Sequence, residues 1–251
     1  MSIENDGTVN PASRDDVRDA YLSQYFGADR HSVRAEQRRL HSFEHNYGRH
    51  LPPPGTVCLE IGPGKGEILQ WFHRHGYDAQ GVDVSSEVVD YCNRLLPGSV
   101  DLATNTVAWL MARPAQFDAV LMLHVLEHIP KEQVVPLLRA IHTALRPSGC
   151  LIVEVPNMSA AFVGLHLRYV DWTHEVGFTP ESLRSVLSVV GFNDVVVGAV
   201  QLPQDRWYRF LQRAAQQFLA VLQRLAGLAI GVSTPSIITY AISAVVKKRA
   251  S

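Results

Sequence analysis

Two stretches of this chain combine residue types and spacings that suit chemistry. The first is Glu60-Ile61-Gly62-Pro63-Gly64-Lys65-Gly66. An apolar run over 56–61 carries the acid and turns through three glycines into a helical pattern with Ile68, Leu69, Trp71 and Phe72 apolar. Glycine lets backbone approach a ligand closely, and a helix start offers unpaired N–H groups. The spacing departs from the G-x-G-x-x-G of a dinucleotide site, with Glu67 where the third glycine would fall. Glu60, two residues before the first glycine, suits a cationic ligand better than a pyrophosphate. Asp83 ends the next apolar stretch, 21 residues after Gly62. A carboxylate at that distance accepts hydrogen bonds from ribose hydroxyls in doubly wound folds.

The second holds two groups of histidines. His124-Val125-Leu126-Glu127-His128 spells the inverted zinc-protease motif, but that motif belongs on a helix and His124 falls at a strand end. No metal site is expected. The run 169–179, Y-V-D-W-T-H-E-V-G-F-T, follows a strand and so falls at the carboxyl edge of the sheet, where ligands bind. Neutral histidine suits a general base near pH 7. His174 is the favoured base, oriented by Asp171 or Glu175, and His128 is a second candidate. The alternative is that Asp171 and His174 only tie the loop to the sheet. Position 182 is serine, not glutamate or glutamine, so Thr179 is expected to cap the next helix alone. His31, His41, His45 and His50 lack supporting ligands and read as surface histidines.

The elements that must position these groups follow from the apolar pattern. Residues 1–14 read as a disordered tail and 15–50 as a helical cap, with helices near 15–26 and 31–48. Residues 51–251 read as one α/β domain. Strands at 56–61, 79–84, 99–103, 117–123, 150–155, 192–199 and 237–246 are expected. Helices alternate with them over 56–155, one of them from Lys131 to Leu145, and Arg146–Gly149 is a turn. This alternation gives a parallel sheet covered on both faces. A helical insertion at about 204–231 places Trp207, Leu211, Ala214, Phe218, Leu222, Leu225 and Ala229 on one face, with Arg209, Arg213 and Arg224 largely away from it. That face is expected to pack on protein, the alternatives being a second subunit or a membrane surface. Residues 225–246 carry no charge, but Ser233-Thr234-Pro235-Ser236 breaks them into halves too short to span a bilayer.

Composition narrows the partners. The 251 residues carry a formal net charge of −1, which argues against a duplex nucleic acid. Three cysteines, an odd number with two in expected strands, read as reduced thiols of a cytoplasmic protein. The first residues show no secretory signal.

E-I-G-P-G-K-G at 60–66, G-V-D-V-S at 81–85, F-D-A-V-L-M-L-H-V-L-E-H-I at 117–129 and L-R-P-S-G-C-L-I-V-E-V-P-N at 145–157 together resemble the class I S-adenosylmethionine-dependent methyltransferases. The resemblance covers roughly residues 55–200. It implies a doubly wound, Rossmann-like, seven-stranded and mostly parallel sheet with an antiparallel last strand, and S-adenosyl-L-methionine as cofactor. Glu60, Ile61, Gly62, Pro63, Gly64 and Gly66 would surround the methionine portion, with Asp83 and Val84 at the ribose. Asn105, in competition with Asp101, would approach adenine, and Leu123 and His124 would line the pocket. N-terminal helices often lie over the cofactor in this family, which makes Tyr21, Tyr25 and Tyr47 candidate lid residues.

The D-x-T-H-E-x-x-F-T pattern at 171–179 resembles bacterial methyltransferases of polysaccharide and lipopolysaccharide gene clusters. It implies methylation of a sugar hydroxyl on a surface glycan or its precursor, near the inner membrane. The L-E-H at 126–128 also resembles ubiquinone-biosynthesis O-methyltransferases, whose E-x-x-E-H group takes a divalent metal; here His124 replaces the first glutamate. That resemblance implies an alternative acceptor, a small lipophilic phenol. A cofactor-binding scaffold without turnover is the third reading.

Overall fold

A computed structural model describes residues 33–160, 163–203, 207–231, 234–235 and 237–250. The expected tail, the helix near 15–26 with Tyr21 and Tyr25, and His31 lie outside the described residues. Helix α1 (Val33–Tyr47) leads through a 3-10 turn (Gly48–His50) to strand β1 (Val57–Ile61) and helix α2 (Glu67–Arg74). Then come β2 (Asp78–Asp83), α3 (Ser86–Leu95), β3 (Val100–Leu102), α4 (Thr106–Met111) and β4 (Phe117–Leu123). A 3-10 turn (Leu126–His128) leads to α5 (Lys131–Ala144) and β5 (Leu145–Pro156). The chain closes with α6 (Gly164–Tyr169), α7 (Pro180–Val190), β6 (Val197–Ala199), α8 (Tyr208–Ile230) and β7 (Ala241–Lys247).

The seven strands form one sheet in the order β3-β2-β1-β4-β5-β7-β6. The pairs β1–β2, β1–β4, β2–β3 and β4–β5 are parallel, whereas β7 runs antiparallel to both β5 and β6. Alternate residues of the central strands face opposite sides. Leu59, Val120, Met122, Leu151 and Val153 pack with α5 and α7 on one side. Cys58, Ala119, Leu121, Cys150 and Ile152 pack with α1, α2 and α3 on the other. Phe43 and Tyr47 of α1 belong to that second cluster beside Trp71 and Phe72. The cap is thereby fixed to the body, and Arg39 of α1 adds an ion pair with Glu67 at the start of α2.

Three boundaries differ from the sequence reading. Arg146–Gly149 is not a turn preceding a strand: β5 begins at Leu145 and accommodates these residues in a register shift opposite Phe117–Ala119, with Ser148 at φ +65°. Strand β6 begins five residues later than expected. Gly191, at φ +114°, closes α7, and Asp194 turns the chain again at φ +52°. Thr179 does not cap α7 alone. Its hydroxyl accepts from Ser182 N while Ser182 Oγ accepts from Thr179 N at 2.9 Å, so serine closes the reciprocal box usually made by glutamate.

Candidate functional site

A cavity of about 1200 Å³ opens at the carboxyl ends of β1, β2, β4 and β5, under the inner side of α1. Its floor is the turn after β1. Gly62 (φ +70°), Gly64 (φ +52°) and Gly66 (φ +66°) all occupy the left-handed region that a Cβ penalises. A Cβ on Gly62 would sit 2.5 Å from Val125 Cγ2, so only glycine lets the loop pass that close to the turn after β4. Gly64 has no described atom within 4 Å of its Cβ position, which faces the cavity. The sequence grouped Gly66 with the ligand-binding residues, and the structure corrects this. Gly66 is the N-cap of α2, its Cβ position 3.1 Å from Cys92 Sγ, and it does not line the cavity.

The other expected cofactor residues do line it: Glu60, Ile61, Gly62, Pro63, Gly64, Asp83, Val84, Asn105, Leu123 and His124. Glu60 is 5% exposed, and burial pushes its carboxyl up to about 8. Its Oε2 has no hydrogen-bond partner among the described residues. A buried acid of this kind fits a cationic group that restores its charge. Asp83 ends β2, and its Oδ1 accepts from Ser85 N at 2.8 Å. Asn105 Oδ1 caps α4 by accepting from Ala108 N at 3.0 Å. Asp101, its competitor, instead accepts from Trp109 Nε1 at 3.0 Å and pairs with Arg113 outside the cavity.

A network with buried Tyr47, Glu154 and Glu127 around a half-exposed His124, which the sequence reading missed, forms the wall below α1. Tyr47, 2% exposed at the end of α1, donates to Glu154 of β5, and Glu154 Oε1 lies 2.9 Å from His124 Nε2. His124 Nδ1 lies 3.4 Å from Glu127 Oε1, so the ring bridges two carboxylates at φ +55°. Burial alone would lower the His124 pKa, but bonding to Glu127 and Glu154 raises it to about 10. This imidazole is a cation at neutral pH. Burial works against ionisation of Glu154, yet His124 and Tyr47 hold its carboxyl below the usual range. The one signal for Glu154 in the sequence is a charge interrupting the apolar run L-I-V-E-V of a central strand.

The histidines are arranged otherwise than expected. His174 does not line the cavity; its Nδ1 lies 2.8 Å from Leu167 O, and its backbone oxygen takes Arg168. Asp171 does not orient it. Asp171 Oδ1 accepts from Thr173 N at 2.8 Å and from Thr173 Oγ1 at 2.7 Å. Thr173 Oγ1 in turn lies 2.8 Å from Nδ1 of His128, which does line the cavity. Threonine has one hydroxyl proton, given to Asp171, so it accepts from His128 Nδ1–H and the ring's lone pair sits on Nε2. Burial lowers the His128 pKa and keeps the ring neutral. His128, not His174, therefore has the geometry of a base.

No metal group was expected, yet Glu127, His128 and His174 bring ligand atoms within 4.8 Å of one another. Among the described residues, Glu127 Oε2 lacks a hydrogen-bond partner, and the Nδ1 atom of each histidine faces an oxygen. A carboxylate and two imidazoles oriented this way suit a borderline divalent ion such as zinc or manganese.

Comparisons with known proteins bear on the family and the fold. A family model described as "Methyltransferase domain" matches residues 31–197. A ubiquinone biosynthesis O-methyltransferase of Azorhizobium caulinodans is 30% identical over 197 residues, 73% of this chain and 70% of the relative. One of Xanthomonas campestris pv. campestris (strain B100) is 31% identical over 116 residues, 45% of this chain and 48% of the relative. The chain spans about half the length of several curated relatives it matches. Among solved structures, an S-adenosylmethionine-dependent methyltransferase of Archaeoglobus fulgidus superposes with a TM-score of 0.65 at 20% identity, over 91% of this chain and 98% of that one. The Burkholderia thailandensis 1,6-didemethyltoxoflavin-N1-methyltransferase, solved with S-adenosylhomocysteine, does so at 0.57 and 19% identity, over 92% and 86%.

Proposed function

The chain belongs to the methyltransferase-domain family, and from that premise we propose that it is an S-adenosylmethionine-dependent O-methyltransferase acting on a small lipophilic phenol. The observation that carries this reading is the Asp171–Thr173–His128 chain of hydrogen bonds ending at the cavity wall. An oxygen acceptor must lose a proton as it is methylated, and a neutral, oriented imidazole takes it.

The residues present fit the cofactor. The glycine turn leaves the space that Gly64 faces, Glu60 offers a buried acid to a cationic group, and Asp83 stands at the end of β2. When bound, S-adenosylmethionine supplies a methyl group already activated by its sulfonium. The protein's own contribution is then to position the acceptor and hold its proton at His128 Nε2. Positioning alone supplies on the order of 7–11 kcal/mol in well-oriented reactions.

The acceptor class follows from the wall chemistry. Ile68, Val88, Ile129, Leu137, Leu202 and Pro203 supply apolar lining, which suits an aromatic ring. The sugar-hydroxyl reading rested on the resemblance of the pattern at 171–179. The side chains of Asp171 and Thr173 bond to each other and His174 turns to Leu167, an arrangement that gives that reading no added support. The matched ubiquinone-pathway relatives support the phenol as well.

A second reading is favoured by the grouping of Glu127, His128 and His174. There a divalent ion, rather than His128 itself, would lower the acceptor's pKa. One experiment separates the two: methyl transfer to catechols and hydroxybenzoates by wild type, His128→Ala and His174→Ala, with and without chelation. The base reading expects His128→Ala to lose about 10²–10⁴-fold in kcat, His174→Ala to stay near wild type, and chelation to have no effect. Equal loss in both variants, together with loss on chelation and metal in the purified protein, supports the ion. No transfer to any phenol, with S-adenosylhomocysteine bound normally, refutes the acceptor class.

A further inference from the structure

Helix α8 is built inside out. Phe210, Leu211, Phe218, Leu225 and Leu228 lie along one face, and that face looks into solvent: Phe210 is 72% exposed, Phe218 63% and Leu228 78%. Of the expected partners, the chain's own domain does not cover this face. The side that turns toward the body is mixed: Tyr208, Arg209, Gln216, Leu219, Ala220 and Gln223 are partly buried and Gly227 is buried. A row of exposed Phe and Leu this long is uncommon on an isolated monomer and marks a surface that something covers.

The charges on the helix select the occupant. From Trp207 to Gly231 there is no Asp or Glu, while Arg209, Arg213 and Arg224 lie off the apolar face. Trp207, 82% exposed, and Tyr208 stand at its start, where amphipathic rings suit a headgroup layer. We propose that α8 lies flat in the surface of an anionic lipid bilayer, its Phe and Leu face among the acyl chains and the exposed Arg213 and Arg224 at the phosphates. Low net hydrophobicity, an apolar face, aromatic residues and a polar side of glutamines whose charges are all arginines are what such interfacial helices need. Two copies facing each other through α8 would bring these arginines together with no acid on either helix to meet them. Among the described residues no helix is long and apolar enough to cross a membrane, so the helix rests on the bilayer.

The placement gives the docking a purpose. Leu202, Pro203 and Arg209 line the cavity just before and at the start of α8, so a bilayer under this helix lies close to the cavity that takes a lipophilic acceptor. The bilayer contact itself rests on α8 alone and stands or falls apart from the identity of the acceptor.

The test is sedimentation of the full chain with phosphatidylcholine vesicles, with and without phosphatidylglycerol. Binding is expected on the anionic vesicles and much less on phosphatidylcholine alone, weakening as salt rises. Phe218→Asp with Leu225→Asp, both at exposed positions, should lose at least tenfold in vesicle affinity while S-adenosylhomocysteine affinity and Tm stay at wild-type values. Arg213→Gln with Arg224→Gln should lose about tenfold on anionic vesicles only. Failure of wild type to sediment with anionic vesicles overturns the proposal. So does a wild-type dimer in light scattering that Phe218→Asp converts to monomer, which assigns the face to a second copy.

Discussion

Gly62 and Gly64, two of the three glycines in the turn after β1, should fail in different ways when given a side chain. Gly62→Ala meets two costs: a Cβ in the left-handed region, roughly 1–2 kcal/mol, and overpacking against Val125 Cγ2 at 2.5 Å, about 1–3 kcal/mol because a β-branched neighbour cannot swing aside. Together these are about 2–5 kcal/mol. A domain of this size loses about 2–4 °C of Tm per kcal/mol, so a fall of roughly 4–20 °C is expected by calorimetry. Gly64→Ala meets the backbone cost alone, since no described atom lies within 4 Å of its Cβ position, and should lose only about 2–8 °C. Its methyl enters the cavity, so it should weaken S-adenosylhomocysteine binding in titration calorimetry more than its small Tm loss suggests. Adding Val125→Ala to Gly62→Ala removes the colliding methyls, leaving the double variant about 1–3 kcal/mol less destabilised than the sum of the singles. The reasoning fails if Gly62→Ala is no less stable than Gly64→Ala, or if the Val125 substitution recovers nothing.

Three further outcomes follow from the site. Asp171→Asn should lower kcat by about tenfold or more, leave KM for the acceptor nearly unchanged and shift the acid limb of the pH–rate profile to lower pH, because it disturbs His128 through Thr173 and removes a carboxylate charge that favours the protonated ring. Glu60, with its pKa raised to about 8, is largely protonated at pH 7. A ligand ammonium group favours the ionised form, so S-adenosylhomocysteine binding near pH 7 should release about one proton, visible as a dependence on buffer ionisation enthalpy that Glu60→Gln abolishes. For His124, a pKa raised to about 10 means stability fully present below pH ~6.5 and lost as pH climbs through 10. Wild-type Tm should therefore fall across that window more steeply than that of His124→Gln.

The sheet and the cofactor cradle were legible in the sequence because both are local. β1, β2 and β4 are short apolar runs, and the Gly62 to Gly66 turn lies next to the strand it serves. The wall opposite was not legible. Tyr47 and Glu154 meet across 107 positions, and no periodicity announces a hydrogen bond between a cap helix and a central strand. His174 seemed the better base because the 169–179 run reads as one motif. The choice fell to His128 through a threonine whose hydroxyl orientation only three-dimensional partners define. Helix α8 shows the reverse: its amphipathic face was plain, but which side the fold would cover depends on contacts 208–230 cannot encode alone.

The place of β7 has a consequence for how the chain is made. Although late in sequence, it lies inside the sheet, between β5 and β6, and β6 pairs with no other strand. Strands β3, β2, β1, β4 and β5 can assemble as they leave the ribosome, but the outer edge of β5 then waits open for residues 241–247. That edge is Leu151, Ile152, Val153 and Val155, all of which end fully buried. An unpaired apolar edge of this kind recruits other strands, so an interrupted synthesis or a chain shortened before Ala241 leaves a nascent protein primed to aggregate. Emergence of residues 241–247, rather than formation of the cofactor cradle, is then the step at which a chaperone has most to protect.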